Sequence, residues 1–387
     1  MKILLALTLL LTWQQPTANV PIKIGILFPS EGALRKAGED SCVALSAYFE
    51  ELNSQGGING RRLELQTVLV DKEWETTAIN LKRLSREQKV LAFVGGIAAG
   101  RDEEIETLMQ TEAVPLIGPA TLNPGDLDRY VFHLLPGVKE QARALVNFAA
   151  SQPDLKKSPA VILSLSGSLN NESADAAEAQ SKKLGWLGVN KVVATKSTLK
   201  PLELVNDMKR RGVQTVFVFG DATAVKAIVD ETVAQGLTPT FFAPGYTVKP
   251  ELYNALTPAL KNKFFISLPT VPADITAAEE YRALQSKYGL PSSSVLSQFL
   301  TLAAAKVMIE GLKQGGGIPE DSTKPFDVNA ARERLVVGLE KLRDFNTGLG
   351  RPVTFGKDRR IGSYGAHILG IDPVTNQLAP RQFVSAN

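Results

Sequence analysis

Cysteine and histidine are scarce: one cysteine, Cys42, and two histidines, His133 and His367, occur in 387 residues. A single cysteine excludes an internal disulfide. Cys42 falls in an apolar helical pattern and reads as a small packed residue rather than a nucleophile. The two histidines stand far apart without the close Cys, His or carboxylate spacing that a transition-metal site needs. Gly25-Ile26-Leu27-Phe28-Pro29 does not meet the dinucleotide glycine fingerprint, and no phosphate-loop motif occurs. No Gly-x-Ser-x-Gly elbow is present to make a nucleophile of any serine. Asp71 as a general base lacks a second catalytic group. No catalytic residue, metal ligand or cofactor is therefore assigned, and the chain does not read as an enzyme. Neither sign of charge dominates. Lys and Arg number 43 against 40 Asp and Glu, interspersed as in Asp40 to Glu51 and Asp102 to Glu106, which leaves no nucleic-acid footprint.

Long apolar runs are also missing after the start of the chain. Lys2 followed by the nearly unbroken apolar stretch Ile3 to Leu11, with small residues at Pro16-Thr17-Ala18, has the form of a secretory leader. It is too short to cross a bilayer as a helix of about 20 residues, and no later segment reads as long and apolar enough. Residues 1–18 are expected to be a signal peptide, with the mature chain starting near Asn19. No cysteine closes the leader, so no lipid anchor is expected.

What is present is a regular alternation of strand and helix. Ile22 to Leu27 reads as a buried strand, Glu39 to Asn53 as an amphipathic helix packing through Val43, Leu45, Ala47 and Phe49, and Leu63 to Val70 as the next strand. Helix 76–85, a strand at Leu91 to Val94 ending in Gly95-Gly96, helix 103–110 and a strand at Val114 to Ile117 ending in Gly118-Pro119 follow. The pattern restarts with helix 140–150, strand 160–165, helix 172–184, strand 189–195, helix 202–210, strand 215–219, helix 224–235 and strand 240–243. Strand 264–268 then leads to helices at 277–287, 294–313 and 330–342, with Gly315 to Pro319 as an exposed turn. Short apolar strands between helices predict an α/β fold of mostly parallel sheets covered on both faces. The length predicts two domains.

With Gly25 to Pro29, Gly38, the Gly-Gly-x-x-Gly run within Asn53 to Gly60, Asp71, Leu84, Gly95 and the Pro119 loop, the mature chain resembles the branched-chain amino-acid binding family. These are solute receptors of ABC importers with a type I periplasmic-binding-protein fold. The resemblance implies two doubly wound lobes joined by three crossings, near Val138, Leu268 and Gly350, and a ligand held between them. Lobe 1 is expected to comprise 19–138 and 269–350, and lobe 2 139–268 and 351–387. It implies a periplasmic protein that captures a small molecule by lobe closure and delivers it to an inner-membrane ABC permease. The alternative is a ligand-sensing or redox-system accessory protein of the same fold that acts on a signalling or redox protein partner.

The family's amino-acid clamp is altered in this sequence. Where the pattern has a serine, a small residue and a threonine, this chain has Ala99, Ala120 and Leu122; His133 and Val138 replace an arginine and an aspartate. Leu165-Ser166-Gly167-Ser168 replaces a Tyr-Gly motif. These departures point away from leucine, isoleucine or valine and toward another small polar or anionic molecule, either amino-acid-related or an organic or aromatic acid.

Ligands of open parallel sheets bind beyond the carboxyl ends of the strands. That rule selects loops carrying Ser30, Arg35, Lys36, Ala99, Gly100, Arg101, Ala120, Thr121, Ser166, Ser168, Asp221 and Tyr246. Arg35, Lys36 and Arg101 are candidates for charge-assisted bonds to an anion. Ser30, Thr121, Ser168 and Tyr246 are candidate hydrogen-bonding groups, and Trp74 with Tyr246 a candidate aromatic wall. Glu39, Glu50, Glu51 and Glu103 read as solvent-facing charges available for docking.

Overall fold

The computed structural model describes residues 19–125, 128–165, 167–195, 197–248, 252, 256–270, 278–372, 374–375 and 377–387. The expected leader and the candidate site residue Ser166 lie outside these residues.

The first sheet is parallel throughout and is built by β1 (Ile22–Pro29), β2 (Leu63–Val70), β3 (Ala92–Val94), β4 (Leu116–Ile117) and β5 (Val131–Phe132), in the order β2-β1-β3-β4-β5. Helices α1 (Arg35–Ser54), α2 (Trp74–Arg86) and α3 (Asp102–Thr111) connect its strands. Because alternate residues of a strand face opposite sides, Ile22, Ile24 and Ile26 enter one apolar cluster, while Leu27, Val68 and Phe93 enter another on the opposite face.

The chain then crosses to α4 (Val138–Ala150) and α5 (Pro153–Lys156). A second sheet follows, made by β6 (Ala160–Leu165), β7 (Val189–Ala194), β8 (Thr215–Gly220), β9 (Thr240–Pro244) and β10 (Phe264–Leu268). Helices α6 (Ser168–Lys183), α7 (Pro201–Arg210), α8 (Ala222–Ala234) and the short α9 (Pro258–Lys261) lie between these strands. The same alternation divides this sheet's faces: Val216 and Val218 pack with Phe241, whereas Phe217, Phe219 and Phe242 pack on the other side. Phe217, Phe242 and Phe265 form an aromatic stack across three strands, with centroids 5.2 and 5.5 Å apart.

After β10 the chain returns to the first sheet through α10 (Glu279–Tyr288), α11 (Val295–Gln314) and α12 (Val328–Leu339). It closes on the second sheet with β11 (Gly365–Ile371) and β12 (Leu378–Ser385), both antiparallel, giving the order β12-β11-β10-β9-β8-β6-β7. Helix α11 is long and apolar enough to cross a membrane by length and composition, which the sequence reading did not register. It is a core helix. Phe299, Leu302, Ala304 and Met308 are buried with residues of β1, α1 and α12.

Several expected boundaries move. The first helix begins at Arg35, a turn before Glu39, so Arg35 and Lys36 belong to a helix and not to a loop. Val43 points outward at 45% exposure, whereas Leu45, Ala47 and Phe49 are buried as expected. The third crossing is expected near Gly350, and the chain beyond it keeps contact with the first cluster. Val353 and Phe355 still pack in the first cluster, Ile361 bridges to His133, and the second sheet is entered only at Gly365.

Helix α11 packs tightly against the ends of β3 and β4. Gly95 and Gly118 have φ of 65° and 69°. A Cβ at Gly95 would lie 2.7 Å from Thr301 Oγ1, and one at Gly118 would lie 2.6 Å from the Ala304 Cβ. Only glycine meets both demands, a left-handed backbone and no side chain. Gly118→Ala is expected to cost about 2–4 kcal/mol in urea unfolding. Adding Ala304→Gly should recover part of that loss, because it removes the collision but not the backbone strain; strict additivity would show that α11 does not press on this turn.

Candidate functional site

The loops after β1, β3 and β4 open on the same edge of the first sheet, since parallel strands end together. They enclose a cavity of about 790 Å3, lined among others by Pro29, Gly32, Ala99, Gly100, Ala120 and Thr121. Leu169, in the first turn of α6, also lines it, so the second sheet's connections contribute to the same space. Leu169 is shared with a hollow of about 560 Å3 at the carboxyl ends of β6, β8 and β9, lined by Ser168, Asn170, Asp221 and Tyr246. There the Tyr246 hydroxyl donates to Asn170 Oδ1 at 3.3 Å and stands 3.5 Å from Ser173 Oγ.

The structure brings seven of the expected residues to these two walls: Ala99, Gly100, Ala120 and Thr121 to the first, and Ser168, Asp221 and Tyr246 to the second. Asp221 also caps α8, accepting from the Ala224 N–H at 2.9 Å. Thr121 Oγ1 accepts from the Asn123 N–H at 3.1 Å, which folds the loop over its own side chain.

Five expected residues line neither wall. Arg35 donates to the Ser30 carbonyl at 2.6 Å and pairs with Glu39 at 2.8 Å; Lys36 pairs with the buried Asp40. Arg101 is held by Glu104 at 2.9 Å and by the Lys72 carbonyl at 2.6 Å. The cations proposed from sequence as anion anchors thus already have partners. Ser30 serves through its backbone, with its N–H on the Val70 carbonyl at 2.9 Å. Trp74 opens α2, rests half-buried on the apolar cluster of the sheet's far face, and borders a separate hollow with Glu103 and Glu104.

Acidic side chains that sequence reasoning did not select stand at the first wall instead: Glu31, Asp102, Glu103, Glu106 and Asp128. Glu103, expected on a solvent face, is one of them. The signal was faint but present. Three acids in the first turn of α3 are ordinary partners for a helix N-terminus, yet Glu106 lies one turn further along, between the buried Ile105 and Leu108.

Glu106 is 8% exposed. Burial, and then repulsion from Asp102 and Asp128, raises its pKa from 4.5 to about 8. His133 stands beside it, with its Nε2 3.6 Å from Glu106 Oε1. That imidazole is 1% exposed and burial pulls its pKa down to about 4, so it stays neutral and offers Glu106 no compensating charge. Asp102 is also raised by burial, opposed by Thr121 and by the backbone amides of Asp102 and Gly100. A carboxyl whose folded pKa is raised contributes stability that is full below its unfolded pKa and lost as pH rises through the folded one. Glu106→Gln should therefore match the parent at about pH 5 and exceed it by about 1–3 kcal/mol near pH 9 in denaturant unfolding. Equal stabilities at both pH values would remove Glu106 from a buried, repulsive site.

A model of the periplasmic binding protein family matches residues 21–367. The chain is 24% identical over 238 residues to an amino acid binding protein of Pseudomonas aeruginosa, a match spanning 61% of this chain and 63% of that one. It is 23% identical over 338 residues to Leu/Ile/Val-binding protein homolog 7 of Brucella abortus, covering 82% of this chain and 81% of the relative. In fold it is similar to a branched chain amino acid ABC transporter protein from Thermus thermophilus with bound valine, at a TM-score of 0.64 and 18% identity, over 95% of this chain and 96% of that one. With two sheets, crossing connections and a shared cavity at the strand ends already in place, the chain belongs to the periplasmic binding protein family, a class of transport receptors that bind without catalysing.

Proposed function

We propose that this protein is the extracytoplasmic solute receptor of an ABC importer, capturing a small polar, amino-acid-related molecule between two lobes and presenting it to a membrane permease. The observation that carries this reading is Leu169. It projects from the connection after β6 into a cavity otherwise lined by the first sheet's loops, so one ligand placed there would touch both bodies. Closure about a few connecting residues would then bury it and expel water.

The lobes divide at the connections 133–138, 268–278 and 361–365. Lobe 1 takes the first sheet with α10 to α12, and lobe 2 the second sheet with α4 to α9 and the two final strands. Residues 1–18 are the export signal, removed near Asn19. The relatives' names and the valine bound in the Thermus thermophilus structure support an amino-acid-related cargo. The anionic cargo expected from Arg35, Lys36 and Arg101 has less support, because each of those side chains is engaged elsewhere.

Native mass spectrometry of the mature protein purified from its own cells tests the reading. A small organic compound bound one to one and released on mild unfolding is expected. An empty protein that instead copurifies with a stoichiometric protein partner would contradict it and favour the accessory role.

A further inference from the structure

The charge of the cavity narrows the cargo further, on the premise that the chain is a solute receptor. Five carboxylates line the first wall, and among the described residues no Lys, Arg or His does. Two of the five are accounted for: Glu31 pairs with Lys72 at 2.8 Å, and Glu103 is exposed. The other three converge. Glu106 Oε2 and Asp128 Oδ2 each lie 3.4 Å from the point where a Cβ on Gly125 would stand. Asp102 precedes Glu106 by one turn on the same helix.

Among the described residues, no Lys or Arg pairs with a carboxylate of this recess. His133 approaches from the end of β5, buried, with neither ring nitrogen hydrogen-bonded, and its Nε2 directed at Glu106 from 3.6 Å. Arg101 is committed to Glu104 and the Lys72 carbonyl. Arg360 reaches only the backbone of Asp128, at 3.0 Å, and spends its charge on Glu340 at 2.7 Å. An anionic ligand would seek the amides at the start of α3, but Thr121 and the amides of Gly100 and Asp102 already favour the ionised carboxylate of Asp102. The protein's own carboxylate holds the place a ligand carboxylate would take.

We propose that the recess formed by Asp102, Glu106 and Asp128 receives a protonated amine or guanidinium, and that the cargo is a basic organic compound rather than an acid. Glu106 is buried and faces only a neutral imidazole, so ionising it there costs free energy that an incoming cation offsets. Glu106 is protonated near neutral pH, so an ammonium arriving there would displace its proton. Affinity should accordingly rise from about pH 6 to about pH 8 and then level off.

The test uses thermal stabilisation of the mature protein by agmatine, putrescine and tyramine against leucine, succinate and benzoate. At least one amine is expected to stabilise it, with affinity about 30-fold lower in Glu106→Gln and with the pH dependence lost in that variant. Asp128→Asn, a loop change outside the helix, should weaken the same amine. Stabilisation by succinate, benzoate or leucine with no response to any amine would overturn the inference and leave the receptor reading standing. Amine binding that Glu106→Gln leaves unchanged would also overturn it. No response to any of the six compounds would count against the receptor reading itself.

Discussion

The close approach of α11 to the carboxyl ends of β3 and β4 is the constraint on which the site depends. Thr301 and Ala304 sit where side chains on Gly95 and Gly118 would have to go. The two strands can therefore end only in glycine, and the chain leaves them through left-handed turns. Those turns aim the 96–101 and 118–125 loops at one space and deliver α3 with its N-terminus at the rim. An apolar helix from late in the sequence thus fixes the geometry of loops encoded two hundred residues earlier, which is how a chain that crosses between its sheets three times holds a single cleft.

The electrostatics of the cleft follow from where the cations go. Arg35, Lys36, Arg101 and Arg360 are all near the first wall, and each is paired with a carboxylate or a backbone carbonyl outside the cavity. Glu106, Asp102 and Asp128 are left facing inward with a neutral imidazole behind them. A buried carboxyl beside two others is costly to ionise unless something compensates it, and a receptor has a natural compensating species in its ligand. Strain of this kind, concentrated at a site and relieved on binding, is expected of a functional surface more than of a structural one.

Much of this was legible in the sequence, and the exceptions have physical reasons. Strand ends marked by Gly95-Gly96 and Gly118-Pro119 located the first wall, and the alternation of short apolar strands with helices gave the α/β class. The start of α1 was misplaced because Leu34 supplies no capping side chain and Gly38 resembles a break. Gly38 is instead a packing glycine, its Cβ position only 2.2 Å from Phe28. Val353 and Phe355, beyond the third crossing expected near Gly350, have no regular pattern to betray their burial in the first cluster. The acidic recess was hidden by ambiguity: Asp102, Glu103 and Glu104 read as a helix N-terminus, and nothing in their spacing shows that Asp128, from a distant loop, meets Glu106.

The central claim is that both walls grip one ligand. Hydrogen exchange of backbone amides, compared between protein carrying its copurified compound and protein stripped of it by unfolding and refolding, addresses that directly. The account predicts added protection in two places at once, over residues 97–107 and 118–125 on the first wall and over residues 168–171 and 245–248 on the second. Protection confined to one wall, or appearing only on faces remote from both, would contradict it.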